Sequence, residues 1–153
     1  MKLVIASDHA GFDLKEELRA SLAAAGHEVV DLGAFICEPE DDYPDFGEKV
    51  GDAVKTGVAP RGIVICGSGV GVCIAANKIP GVRAGICHDT YSAHQGVEHD
   101  DMNVLVLGAR IIGSALALEV AHSFIGAVFQ AKEGRFARRF NKVLAIEAKY
   151  MRS

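Results

Sequence analysis

Two runs constrain the fold most: RGIVIC (Arg61 to Cys66) and NVLVLG (Asn103 to Gly108) are apolar at consecutive positions instead of alternate ones. A strand apolar on both faces must be covered on both, which is the position of a parallel sheet between two helical layers. Three further β-rich runs, KLVIA at Lys2, HEVVDLG at His27 and VRAGIC at Val82, are interleaved with helical patterns. The first helix carries Leu14, Leu18 and Leu22 on one face and is closed by Gly26. The next is expected at Phe46 to Thr56, after a loop through Tyr43 and Pro44. Others are expected at Val70 to Lys78 and near Tyr91 to Glu98, with two final helices at about Ser114 to Ala127 and Glu133 to Lys149. Strands alternating with helices predict one α/β domain over residues 1–153. The expected form is a three-layer sandwich with a five-stranded parallel, Rossmann-like sheet and a C-terminal helical extension.

The third strand runs into CGSGVG, Cys66 to Gly71. A nucleotide P-loop needs G-x-x-x-x-G-K-[ST], and no Lys-Ser or Lys-Thr pair follows these glycines. The dinucleotide fingerprint G-x-G-x-x-G fails because Val72 stands at its third glycine, and it belongs after the first strand. What remains is a compact nest of amides opening a helix, suited to a small anion or a developing negative charge. In an open parallel sheet ligands bind beyond the carboxyl ends of the strands. Asp8 and His9 follow strand one, Cys66 follows strand three, His88 and Asp89 follow strand four, and Arg110 follows strand five. The chemically capable residues are thus expected on one rim.

A net charge of −4 argues against a nucleic-acid partner, which calls for a basic face. The longest apolar runs fall far short of the roughly 20 residues of a membrane helix, so no membrane association is expected. No charged-then-apolar leader precedes the first strand, and Cys37, Cys66, Cys73 and Cys87 show no CxxC or zinc-ligand spacing. The expectation is a cytoplasmic protein with reduced thiols. Charge is unevenly spread. Glu38 to Asp52 holds seven acids and one base, whereas Lys132 to Arg152 holds seven bases and two acids. Such a basic end attracts a small phosphorylated ligand.

Single residues leave alternatives open. Cys66 is either a small core residue or a sulphur on which loop amides favour negative charge. Cys73 and Cys87 read as core. His94 and His99 are five apart and do not share a helix face as two zinc ligands would, so no metal is expected. His99 is either an acid/base group or a solvated helix end. Arg135 and Arg139 share a face and are either solvated or a pair of forks for a phosphate dianion. Asp8 is either functional or a helix cap.

The ordered set Asp8-His9, Asp42-Tyr43-Pro44, CGSGVG, Ala75 to Lys78, Tyr91-Ser92-Ala93, Glu98-His99 and Asn103-Val104-Leu105 resembles the ribose-5-phosphate isomerase B and galactose-6-phosphate isomerase family over essentially the whole chain. The resemblance implies aldose–ketose isomerisation of a small phosphorylated sugar, ribose 5-phosphate to ribulose 5-phosphate foremost, in carbohydrate metabolism by the pentose phosphate pathway. It implies no cofactor and no metal. It assigns Cys66 as the base. The amides of Gly67, Ser68, Gly69, Val70 and Gly71 and the Ser68 hydroxyl would hold an enediolate. His99 would act on the ring oxygen and Asp8 on the anomeric hydroxyl. His9, Arg110, Arg135 and Arg139 would surround the phosphate, with Tyr43 as a substrate contact. The family also implies a homo-oligomer, dimer or tetramer, with the pocket shared between subunits. Val72 stands where another branch carries a glutamate base, so the chain resembles the cysteine branch. Asp100 replaces an asparagine common in the family; a carboxylate there only accepts, which bears on substrate choice. The competing expectation is a non-catalytic phosphosugar- or nucleotide-binding module.

Overall fold

The computed structural model describes residues 1–130 and 134–151. Five parallel strands, β1 (Lys2–Ser7), β2 (Glu28–Asp31), β3 (Arg61–Cys66), β4 (Ala84–Ile86) and β5 (Val104–Gly108), form one sheet in the order β2-β1-β3-β5-β4. The consecutive apolar runs fill both faces. Leu3, Ile5, Ile63, Ile65, Leu105 and Leu107 enter one core with Leu14, Leu18, Leu22 and Phe124. Val4, Ala6, Val64, Cys66, Val104 and Val106 enter the other with Phe46, Val50 and Val72. Register pairs Ile5 with Ile63 and Ile63 with Leu105, so each strand presents the same parity to the same layer.

Helices α1 (Phe12–Ala24), α4 (Thr90–Asp100) and α5 (Ser114–Gly126) supply the first layer, and α2 (Tyr43–Lys55) and α3 (Val70–Ala76) the second. Helix α6 (Arg135–Tyr150) follows and packs on α4. Glu133 and Lys132, placed by the sequence at or before the start of this helix, and Arg152 beyond its end, lie outside the described residues.

Several boundaries differ from expectation, two of them with a visible local cause. Helix α2 starts at Tyr43, because Pro44 sits in the first turn where its missing N–H costs nothing; the loop expected through Tyr43 and Pro44 is helix. Helix α3 stops at Ala76, two residues early. The Asn77 amide there donates to Cys73 O (3.0 Å) and Ala84 O (2.9 Å) and its oxygen accepts from Ala84 N (2.9 Å), turning the chain toward β4. The fourth strand shortens to three residues, so Cys87 lies just past its end, though still buried.

Arg61, the first residue of β3, ties that strand to the end of α5. Its guanidinium donates to the carbonyls of Phe124 (2.5 Å), Ile125 (2.9 Å) and Ala127 (2.7 Å), groups left unpaired as α5 ends. No described helix is long and apolar enough to cross a membrane.

Candidate active site

From β1 the chain winds to β2 on one side and to β3 on the other. The crevice between the carboxyl ends of β1 and β3 is therefore the topological switch point. A cavity of about 390 Å³ opens there, lined by Asp8, His9 and Ala10 after β1, Cys66, Gly67, Ser68 and Gly71 after β3, Arg110 and Ile111 after β5, and Tyr43 from α2. Eight sequence-predicted site residues thus meet in one place.

Local chemistry fixes each. Asp8 is buried and its Oδ1 accepts from Gly11 N at 3.1 Å, capping the short 3-10 turn that starts α1. It is therefore both a cap and a cavity wall. Cys66 is buried at the end of β3, and the Gly69 amide donates to its Sγ at 3.1 Å. Gly69 has φ +83, and a Cβ there would lie 3.2 Å from the Leu107 carbonyl carbon, so the turn that aims this amide requires glycine. The Val70 amide donates to Ser68 Oγ at 3.2 Å. Of the amides expected to face a substrate, those of Gly69 and Val70 are thus engaged within the loop, and neither residue lines the cavity. Helix α3 has only seven residues, so the loop itself, more than a helix dipole, sets the electrostatics. Arg110 lies against Gly67, its amide bonded to Gly67 O at 2.9 Å.

Asp41 was missed by sequence reasoning, one of seven acids from Glu38 to Asp52. Its Oδ1 accepts from both the backbone N (3.0 Å) and Nδ1 (2.7 Å) of His9. The Asp41 hydrogen bond, with Asp8 and Asp41 charge nearby, holds the His9 imidazole above its ordinary value of 6.5, against desolvation and Arg110. Asp8, His9 and Asp41 are the one set of His, Cys and acidic groups among the described residues with ligand atoms within 4.8 Å of one another. Its imidazole proton is already taken by Asp41.

The other rim residues hold structure. His88 Nε2 accepts from Gly108 N at 2.9 Å, and Asp89 Oδ1 accepts from Ser92 N at 2.7 Å, capping α4. Burial pushes the Cys87 thiol up to about 11 and raises that of Cys73 above its usual 9.0, consistent with core roles.

Four predicted site residues lie away from the cavity within one chain. His99, on α4, stacks on Phe136 of α6 with ring centroids 4.0 Å apart. His94 pairs with Glu98 at 3.3 Å, away from any metal set. Arg135 and Arg139 are exposed on α6. Asp100 borders a second, mostly apolar cavity of about 430 Å³ between α6 and β4, which also includes Arg83, Met102, Val143 and Tyr150.

Comparison with known proteins gives this geometry its context. Ribose-5-phosphate isomerase B of Escherichia coli is 42% identical over 146 residues, covering 95% of this chain and 96% of the relative. The structure of ribose-5-phosphate isomerase B from Clostridium thermocellum superposes with a TM-score of 0.93 at 49% identity, covering 98% and 99% of the two chains. That of the Mycoplasma genitalium enzyme with bound ribulose-5-phosphate gives 0.90 at 39% identity and 97% coverage of each. Relatives at 38% identity bear other sugars in their names, D-erythrulose 4-phosphate and 4-deoxy-4-sulfo-D-erythrose. Fold and relatives are those of an α/β isomerase, here with a polar cavity at the switch point of a parallel sheet, which removes the non-catalytic binding module as a reading. More narrowly, residues 3–143 match the family described as Ribose/Galactose Isomerase, and the chain belongs to that family.

Proposed function

We propose that the protein interconverts ribose 5-phosphate and ribulose 5-phosphate through an enediolate, with Cys66 as the base. The observation that carries this reading is the Cys66 sulphur at the cavity wall with the Gly69 amide donating to it. An amide donor stabilises a charged sulphur more than a neutral one. The thiolate removes the C2 proton of the open-chain aldose; that electron pair forms the C1–C2 double bond as the C1 carbonyl becomes an oxyanion, the O2 proton passes to O1, and the C2–O bond closes to the ketone as Cys66 returns its proton to C1. Charge develops on the sugar oxygens in the intermediate. Gly67, Ser68 and Gly71, the loop residues that line the cavity, offer the amides and the hydroxyl that meet it. Asp8 takes the proton of the anomeric hydroxyl during ring opening. His9 and Arg110 bind the phosphate and Tyr43 packs on the sugar.

His99, Asp100, Arg135 and Arg139 enter the pocket of a second subunit in this reading. Their distance from the cavity of their own chain supports it. So does α6, which has no fully buried residue among those described and leaves Leu144, Ile146 and Tyr150 open at 37%, 60% and 72%. An amphipathic helix with so little of its apolar face covered is a natural interface. His99 then protonates the ring oxygen, and the arginines close on the phosphate.

The test is incubation with ribose 5-phosphate in the presence of a chelator, beside the erythrose and hexose phosphates. Ketose forming fastest from ribose 5-phosphate is the expected result, and a faster tetrose or hexose overturns the substrate. Cys66→Ala should lose on the order of 10²- to 10⁴-fold in kcat. Mixing it with inactive His99→Gln should restore part of the activity, since one site of a mixed dimer is whole. A fully active monomer in sedimentation ends the shared-site reading.

A further inference from the structure

Asp41 belongs to none of the motifs that carry the family resemblance, yet its carboxylate is directed at one imidazole. The Asp41 side chain is 12% exposed and that of His9 32%. One Asp41 oxygen receives two N–H groups from His9, and the other, Oδ2, is buried without a hydrogen-bond partner. Among the described residues no lysine or arginine pairs with Asp41, so its shielded negative charge has one cationic partner available, a protonated His9. An ionised carboxylate only accepts, which places the first imidazole proton on Nδ1 in either charge state. The second proton then resides on Nε2. A neutral His9 presents a lone pair there and repels a phosphate, whereas an imidazolium presents a donor and attracts one.

We infer that Asp41 is a positioning residue for the substrate's terminal anion: it fixes the His9 ring through Nδ1 and favours the form in which Nε2 is a donor. The inference rests on the reading of His9 as a phosphate ligand. The charged groups facing His9 are Asp8 from the end of β1, Asp41 from the segment before α2, and Arg110 from the segment after β5; Tyr43 and Cys66 share the cavity. Asp8 works in the same direction as Asp41, while Arg110 and desolvation oppose it. The hydrogen bond to Asp41 is the largest influence and the one that a single substitution removes. The consequence is a substrate affinity that falls off at a higher pH than it would with an unpaired imidazole.

Asp41→Asn keeps an acceptor oxygen opposite Nδ1 and removes the charge. The experiment follows the His9 ring proton by NMR titration and, in parallel, KM and kcat for ribose 5-phosphate from pH 5.5 to 8.5. The expected result is a lower His9 midpoint in the variant and a KM raised roughly 3- to 5-fold at pH 8, the scale of a partly exposed ion pair. Toward pH 5.5, below the ordinary histidine value, the two KM values should converge, and kcat should hold throughout. Phosphate ionisation is common to both proteins and cancels in the ratio. An unmoved His9 midpoint, or a KM ratio that does not change with pH, overturns the inference. His9→Gln separates the two levels. If it raises KM while Asp41→Asn leaves the pH profile intact, only the role of Asp41 fails. If it leaves KM at the wild-type value, the phosphate role of His9 is what fails.

Discussion

Gly71 and Tyr43 meet across the cavity wall so closely that a single methyl group tests whether the tyrosine ring matters. A Cβ on Gly71 would lie 2.7 Å from both Cε2 and Cζ of Tyr43 and 3.1 Å from Cδ2. Carbon atoms in contact rest at about 3.5–4.0 Å, so the ring must retreat by roughly 1 Å. Gly71 lies inside α3 with no positive φ, so Gly71→Ala adds no backbone strain. Tyr43 is 44% exposed at the first residue of α2 and can swing toward solvent. Stability should therefore fall by about 1 kcal/mol or less, the low end of overpacking costs. Activity should suffer far more, because a displacement of about 1 Å in a binding wall can cost up to ~10²-fold. Thermal melts and kcat/KM on ribose 5-phosphate should be measured for Gly71→Ala, Tyr43→Ala and the double variant. If the methyl acts only by displacing the ring, the double variant matches Tyr43→Ala alone. A double variant worse than Tyr43→Ala by the full factor of Gly71→Ala would refute this, moving the loss to the loop amides. Wild-type kcat/KM in Gly71→Ala would remove the ring from substrate contact altogether.

Arg61→Met strips charged donors from three carbonyls at the end of α5 and should cost about 3 kcal/mol, since hydrogen bonds to charged groups contribute ~1.5–3 each and water recovers part. Melting should drop by roughly 6–12 °C at about 2–4 °C per kcal/mol; a drop under 2 °C would mean that solvent caps the helix as well. The Glu16 carboxyl is held at about 2, below 4.5, by hydrogen bonds from Arg19 first and Lys15 second. A depressed carboxyl contributes stability above its unfolded value and loses it as pH falls through the folded one. Melts from pH 6 to 2 should therefore decline between about 4.5 and 2, and Arg19→Gln should flatten that decline; parallel curves would argue against the coupling.

The sheet was legible because its information is local. RGIVIC and NVLVLG must be covered on both sides wherever they lie, and the residues that end β1, β3 and β5 must share a rim, so Asp8, His9, Cys66 and Arg110 converge as anticipated. Less legible was anything set by a partner distant in sequence. Asp41 lies 32 residues from His9 and looks like one acid among many until the fold brings the two together. The loop's hydrogen bonds were likewise hidden, since Gly69 differs in sequence from Gly67 and Gly71 only by position and every residue of the loop carries an amide, yet those of Gly69 and Val70 bond to Cys66 and Ser68. His99, Arg135 and Arg139 were singled out by type and resemblance, and a single chain holds them apart from the cavity. Type alone says nothing of which copy of a chain a side chain serves.

The central strands also act as a partition. Leu3, Ile63 and Leu105 belong to one core, and Val4, Val64 and Val106 to the other, with backbone between them. Tyr43 and the glycine loop hang from the second core, while α4 and α5 rest on the first. Changes in side-chain volume under α2 and α3 can reshape the cavity wall without repacking the layer beneath α4, which carries His99. Such a molecule has two compartments in which to vary. Substrate range can drift in one while the other keeps its geometry, and the combined effect of substitutions on opposite faces should be close to the sum of their separate effects.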